Sequence, residues 1–206
     1  MSRLDTLPDL GSLLGALLAW GQLYGDEVIV SISKGYVFVL RCTPPIVLLF
    51  MVFYGLSEFL EWWLGLDVNG WSRTVFVITA MTLLYAATIS EVFKSAYLAV
   101  PNGQMEAGLS IGLTEFQTFQ RILLPQAFRF ALPNISNAIL NLLKDTALAY
   151  TIGLADIMGA GNLLIGRNLG NYSLETYTAV AVVYWTLALL LALGNQFLEN
   201  ALETGR

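Results

Sequence analysis

The chain has 206 residues, of which 56% are hydrophobic and 12% charged, and its formal net charge is -5. Soluble domains carry about 25% charged residues, so this load leaves too little polar surface for a water-soluble globule and points to lipid as the solvent. The negative balance argues against a nucleic-acid partner, which needs a basic patch, and the lack of histidine with a single cysteine, Cys42, excludes disulfide frameworks, Cys/His zinc sites and histidine-based triads.

Residues 10–24 (LGSLLGALLAWGQLY) are apolar. They are too short for a hydrocarbon core about 30 Å thick. No basic n-region or small-residue cleavage site accompanies them, so a signal peptide is not expected. They read as part of a first membrane helix whose beginning is absent or irregular. Gly11 and Gly15 form a Gly-x3-Gly pair there, a spacing that allows close helix approach.

Residues 36–63 form the next span, with Pro44 and Pro45 near its start expected to kink or open the helix. Trp62, Trp63 and Trp71 cluster where an interface belt belongs, and Glu58 and Glu61 beside them read as solvated. Further spans are expected at residues 74–98, 134–154 and 176–197. The polar segment 100–133 holds Pro101, Gly103, Gly108, Gly112, Pro125 and Pro133. Open backbone of that kind cannot lie in lipid, so it must fold outside the membrane.

Lys and Arg set the orientation. With the amino terminus outside, the inner side holds Lys34, Arg41, Lys94, Arg121, Arg129 and Arg206, against Arg3, Arg73 and Arg167 outside. Segment 100–133 is then cytoplasmic. Within it, PNGQMEAGLSIGLTEFQTFQRILLP reads as two short helices. The first stops at Gly112, which tolerates left-handed backbone. The second opens at Thr114, with Gln117 at capping-box spacing, and is expected to end before Pro125. Phe116, Phe119 and Ile122, three apart, are expected to form one apolar ridge. Such a unit suits docking into a partner's groove, and equally suits packing on its own bundle.

The segment resembles the EAA loop of ABC-importer permeases. Glu106-Ala107-Gly108, Gly112 and Ile122-Leu123-Leu124-Pro125 carry the pattern, with glycine in place of the third small residue, alanine. Its flanks narrow the likeness to the polar amino acid uptake branch: Ser90-Glu91-Val92-Phe93-Lys94, Pro101-Asn102-Gly103-Gln104, Leu124-Pro125-Gln126-Ala127-Phe128-Arg129 and Asn141-Leu142-Leu143-Lys144-Asp145-Thr146. Arg41-Cys42-Thr43-Pro44 is similar to that branch's Arg-Gly-Thr-Pro, with cysteine for glycine. The resemblance covers residues 11–200.

It implies an all-α polytopic bundle, a five-helix permease core with a shortened first helix, in one transmembrane domain over residues 1–206. It implies a second permease chain, in a homo- or heterodimer, two cytoplasmic ATPase subunits and an extracytoplasmic solute-binding protein, in the bacterial plasma membrane. Glu106, Ala107, Gly108 and Gly112 would shape the ATPase contact, and Ile122, Leu124 and Pro125 the return to the membrane. The chain has no Gly-x4-Gly-Lys-Ser/Thr phosphate loop, so ATP and Mg belong to the partner ATPase and no cofactor, metal or catalytic residue is expected here.

In the span at 134–154, Asn134, Asn137, Asn141 and Asp145 recur at three- and four-residue steps on one helix face, and Lys144 points about 100° from Asp145. Intramembrane charges cost about 2.5–3.5 kcal/mol each on insertion scales, so they should face a cavity or a partner helix. Asn137, Asn141, Lys144 and Asp145 are candidates for a solute pathway; a polar clasp between helices uses the same groups. Glu91 and Lys94 read as an i,i+3 pair at the inner interface. The function expected is that of an importer's permease subunit for polar amino acids. An ATP-independent channel or a structural membrane subunit is the alternative.

Overall fold

The computed structural model describes residues 6–68 and 70–203, all helix and connecting turns with no strand among them. Arg3 and Arg206, counted in the charge bias, lie outside the described residues.

Helix α1 (Thr6–Tyr24) starts four residues before the apolar stretch read from the sequence. It turns back through Gly25 into α2 (Glu27–Cys42), whose N-cap Asp26 accepts from the Ile29 N–H at 2.8 Å. α1 lies against α5 (Arg73–Leu98), the central helix. The Gly11–Gly15 pair makes that approach possible. A Cβ at Gly15 would sit 2.1 Å from Ile89 Cγ2 and 3.0 Å from the Ala86 carbonyl oxygen, and one at Gly11 would sit 2.5 Å from Tyr85 Cδ1. Only backbone without side chains fits so near.

The prolines divide the second expected span. α2 ends at Cys42; Thr43 and Pro44 are extended, and α3 (Pro45–Phe50) restarts with Pro45 at its head, where a missing N–H costs nothing. A π turn (Met51–Gly55) leads into α4 (Leu56–Leu64), which Gly65 ends in the left-handed region at φ +64°. The continuous stretch long and apolar enough to cross a bilayer is therefore Pro45–Leu64 rather than residues 36–63. Glu58 and Glu61 are exposed on it, as are Trp62, Trp63 and, in the following loop, Trp71.

After α5 come α6 (Gly103–Ser110) and α7 (Glu115–Thr118), a π segment (Phe119–Leu123) and α8 (Leu124–Thr146). Pro125 does not end the second loop helix, and Pro133 lies inside α8. The widened turn is the reason at Pro125. The Leu124 N–H reaches back five residues to the Phe119 carbonyl, which opens the turn that the proline ring would otherwise crowd. Helix resumes at Leu124 instead of Asn134.

A 3-10 turn (Ala147–Ile152) follows, then α9 (Ile157–Arg167), bent 44° from the preceding run and not foreseen in the sequence. Finally comes α10 (Ser173–Glu203). Pro45–Leu64, Arg73–Leu98 and Ser173–Phe197 are long and apolar enough to cross a bilayer, and the bent run with α9 adds a fourth. The core lies between α3, α5 and α8, where Leu49, Met81, Ala86 and Ile89 are fully buried. A second, smaller core of Val100, Leu123 and Ala127 sits where the loop joins the bundle.

Candidate functional site: the loop and the polar cavity

The loop unit is built by two local motifs. α6 ends in a Schellman turn: Gly112 has φ +87°, the Leu113 N–H donates to the Gly108 carbonyl at 3.2 Å, and the Gly112 N–H donates to Leu109 at 3.0 Å. α7 begins in the foreseen capping box. The Gln117 N–H donates to Thr114 Oγ1 at 3.2 Å and the Thr114 N–H to Gln117 Oε1 at 3.0 Å.

Three ties fasten the unit to the bundle. Gln126 Nε2 donates to Gln104 Oε1 at 3.2 Å and to the Ile122 carbonyl at 2.9 Å, joining α6 to α8. Phe119 packs against Tyr97 with ring centroids 6.3 Å apart. The Tyr24 hydroxyl donates to the Tyr97 hydroxyl, so the ends of α1 and α5 meet at the base of the unit.

The expected ridge of Phe116, Phe119 and Ile122 is not one face. Phe119 and Ile122 turn inward onto Val100, Leu123 and Ala127. Phe116, at 71% exposure, instead shares the open surface with Ile111 and Leu109. Phe116 lies in α7, ahead of the π segment that carries Phe119 and Ile122. Glu106, Ala107 and Gly112 are exposed, Gly108 is buried, Ile122 is half-buried, and Leu124 and Pro125 are exposed.

The polar residues of the span frame a second feature. A cavity of about 340 Å³ lies at the α2–α3 break, walled by Arg41, Thr43 and Pro45 on one side, Tyr85 and Thr88 of α5 on another, and Asn141, Lys144 and Asp145 of α8 on the third. Asn141 and Lys144 are exposed and Asp145 is half-buried. The structure thus brings together three of the four pathway candidates. Asn137 is exposed on α8 but does not line this cavity. Arg41 and Thr43 do; the sequence had marked Thr43 only as part of a motif, and Arg41 as that and as an inner charge. The wall offers two cations, one carboxylate and an amide with both donor and acceptor, a set that can hold a small zwitterion.

Arg73 was read only as an outer charge. Its Nη1 donates to the Gly153 carbonyl at 2.8 Å, pinning the start of α5 to the turn after α8. Gly153 has φ +81°, and any Cβ there would meet the guanidinium at 2.5 Å.

The loop and the cavity sit on a bundle whose sequence can now be compared with known proteins. A model of the binding-protein-dependent transport system inner membrane component matches residues 11–204. The chain belongs to that family. This inner membrane component is a multi-pass membrane protein, and the family expected from the loop motifs is borne out. It is 35% identical to the probable amino-acid permease protein YxeN of Bacillus subtilis (strain 168), over 94% of this chain and 82% of that one. It is 38% identical to the L-cystine transport system permease protein TcyL of the same organism, over 87% and 74%. With the histidine/lysine/arginine/ornithine transport system permease protein HisQ of Salmonella typhimurium it shares 37% over 75% and 69%. In fold it is similar to a crystal structure of an amino acid ABC transporter with histidines, at a TM-score of 0.82 and 23% identity, over 96% of this chain and 87% of that one. The MetNI methionine ABC transporter in an inward-facing form gives a TM-score of 0.73 at 19% identity, over 96% and 90%.

Proposed function

We propose that the chain is the permease subunit of an ATP-binding-cassette importer for polar amino acids in the bacterial plasma membrane. It pairs with a second permease chain, docks on two cytoplasmic ATPase subunits that hold ATP and Mg, and receives solute from an extracytoplasmic binding protein. The observation that carries this is the exposed apolar surface of Leu109, Ile111 and Phe116 on a loop tied to α5 through Phe119 and to α8 through Gln104. A short helical unit with apolar side chains outward is a surface for a groove. Ties at its base pass a push on it to the helices that wall the cavity.

In this reading Glu106, Ala107, Gly108 and Gly112 shape the ATPase contact, while Ile122, Leu124 and Pro125 set the return to the bundle. Asn141, Lys144 and Asp145 contact solute in the cavity. Asn137, one helical turn from Asn141 on the same face of α8, lies outside the lining of this cavity. Solute and nucleotide are linked because each favours one arrangement of the same helices.

Affinity purification of the tagged chain from a host that expresses its chromosomal neighbours tests this directly. A nucleotide-binding subunit should co-purify, and the complex in vesicles should take up amino acid only with ATP. Ion conductance by the chain alone, with no ATPase retained, would establish the channel alternative.

A further inference from the structure

A second polar cavity, of about 450 Å³, lies between α1, α2 and α5 and is lined by Gln22, Lys34, Phe38, Arg41, Glu91 and Lys94 among others. Its wall carries three cations and one carboxylate. Lys94 Nζ donates to Glu91 Oε1 at 3.3 Å and to Gln22 Oε1 at 2.8 Å. That network occupies Lys94 and leaves the other two cations, Lys34 and Arg41, open. Lys34 and Arg41 have no hydrogen bond or ion pair from their side chains among the described residues. Gln22 is 8% exposed, and its Nε2 has no hydrogen-bond partner. A buried donor without an acceptor is a rarity, and here it belongs to a residue that lines a chamber with excess positive charge.

The chamber adjoins the first cavity, and Arg41 belongs to both walls. Its position along α5 differs. On α5 the first cavity is lined by Leu84, Tyr85 and Thr88 and the chamber by Glu91 and Lys94, so the chamber begins about one turn nearer the loop. The side chains of α2 that face the chamber, Lys34, Phe38 and Arg41, follow at i, i+4 and i+7 on one flank. The opposite flank carries Ile32 and Val39, exposed and apolar.

We propose that this chamber is a carboxylate-binding subsite on the release side of the pathway. It takes the solute's carboxylate on Lys34 and Arg41 after the solute leaves the cavity beside Asn141 and Lys144. Glu91, the one acid in the wall, offers a partner to the solute's ammonium and disfavours the phosphate of a lipid headgroup. The proposal rests on the transport reading for the identity of the solute, and on the orientation that puts the loop in the cytoplasm.

The test is equilibrium binding of radiolabelled L-arginine, L-glutamine and L-glutamate to the chain with its co-purifying subunits. No binding protein is added, and the nanodiscs are of phosphatidylcholine. At least one amino acid should bind, and agmatine, arginine without its carboxylate, should not. Lys34→Gln should weaken that binding by about tenfold, the loss expected for one charge-assisted hydrogen bond. Arg121→Gln, which removes an exposed cation on the loop, controls for net charge and should change nothing. An unchanged affinity in Lys34→Gln, or equal binding of agmatine, overturns the proposal. So does loss of amino-acid binding when phosphatidylglycerol is added, which would assign the chamber to a lipid headgroup. Uptake of the same amino acids driven by ATP is measured in parallel. Absent uptake with binding sensitive to Lys34→Gln would refute the transport reading and leave the subsite standing.

Discussion

Gly108 of α6 and Thr118 of α7 fill one another's space. A Cβ at Gly108 would lie 2.4 Å from Thr118 Cγ2 and 2.6 Å from its Oγ1, and Thr118 is fully buried with its hydroxyl unpartnered. Family members with alanine in the Gly108 position cannot pair it with a threonine in this geometry. The departure from the motif and the threonine ten residues later are therefore one packing solution. Gly108→Ala is expected to lower the thermal stability of the purified complex by about 1–3 kcal/mol, the usual cost of overpacking. Thr118→Ala in the same chain should restore part of the loss. Additive effects of the two changes in a double-mutant cycle would show that the contact carries no energy. Thr118→Val keeps the shape and removes the stranded hydroxyl, so it should be neutral or stabilising by about 1 kcal/mol.

The two phenylalanines of the loop should behave oppositely. Phe116 is exposed and Phe119 packs on Tyr97. Phe116→Asp is expected to reduce recovery of the ATPase subunit by at least tenfold, about 1.4 kcal/mol of docking energy, with the melting temperature of the permease unaltered. Phe119→Ala should lower that melting temperature, because it opens the smaller core. Equal recovery with Phe116→Asp would place the docking surface elsewhere.

Gly112 and Glu106 test the lever itself. Gly112→Asp adds a side chain at φ +87°, where an L-residue costs about 1–2 kcal/mol, and adds a charge to the exposed surface. Glu106→Lys reverses a charge on the same unit. Both variants should insert normally, yet lose at least tenfold in uptake and in ATPase stimulation by the loaded binding protein. Gly112→Asn is the control for backbone strain, since asparagine tolerates this region better, and it should retain more activity than the aspartate variant.

Gly15 offers a prediction within the membrane. Gly15→Ala places a methyl against Ile89 and the Ala86 carbonyl, so α1 must withdraw from α5. A loss of about 1–3 kcal/mol is expected, read as thermal inactivation of the complex in detergent. Ile89→Val should recover some of it, because the nearest clash is with the Ile89 branch.

Lys144→Gln should raise the solute concentration for half-maximal transport by about tenfold, the value of one charge-assisted hydrogen bond. Asn137→Ala should leave that concentration near wild type, because Asn137 does not line the cavity. Similar effects of the two substitutions in vesicle uptake would count against the cavity as the solute site.

Much of this arrangement is legible without coordinates. α5 and α10 declare themselves by length and hydropathy, and Thr114 with Gln117 declares its capping box by spacing alone. Gly112 marks its turn because few other residues accept that backbone. What could not be read depends on non-local geometry. Pro125 looks like a stop until a π turn before it relaxes the backbone. α9 has no distinctive periodicity and is positioned by Asp156, which accepts from the Gly159 N–H at 2.7 Å, and by the bend after α8. Arg41 and Gln22 become site residues only because α2 folds back along α1 and α5, a path that sequence spacing does not encode.

The extended pair Thr43 and Pro44 leaves no ladder of backbone bonds running from α2 into α3; Thr43 closes back on Val39, and the next bonds, from Val47 and Leu48, begin afresh at Pro44. Arg41 therefore belongs to the α1–α2 hairpin and Pro45 to the next helix, with α5 as the post on which both are hung: α1 through Gly11 and Gly15, α2 through the Tyr36 hydroxyl on the Leu83 carbonyl. The opening beside Lys144 is thus set by how two separate pieces of chain are seated on one helix, not by the shape of a continuous rod.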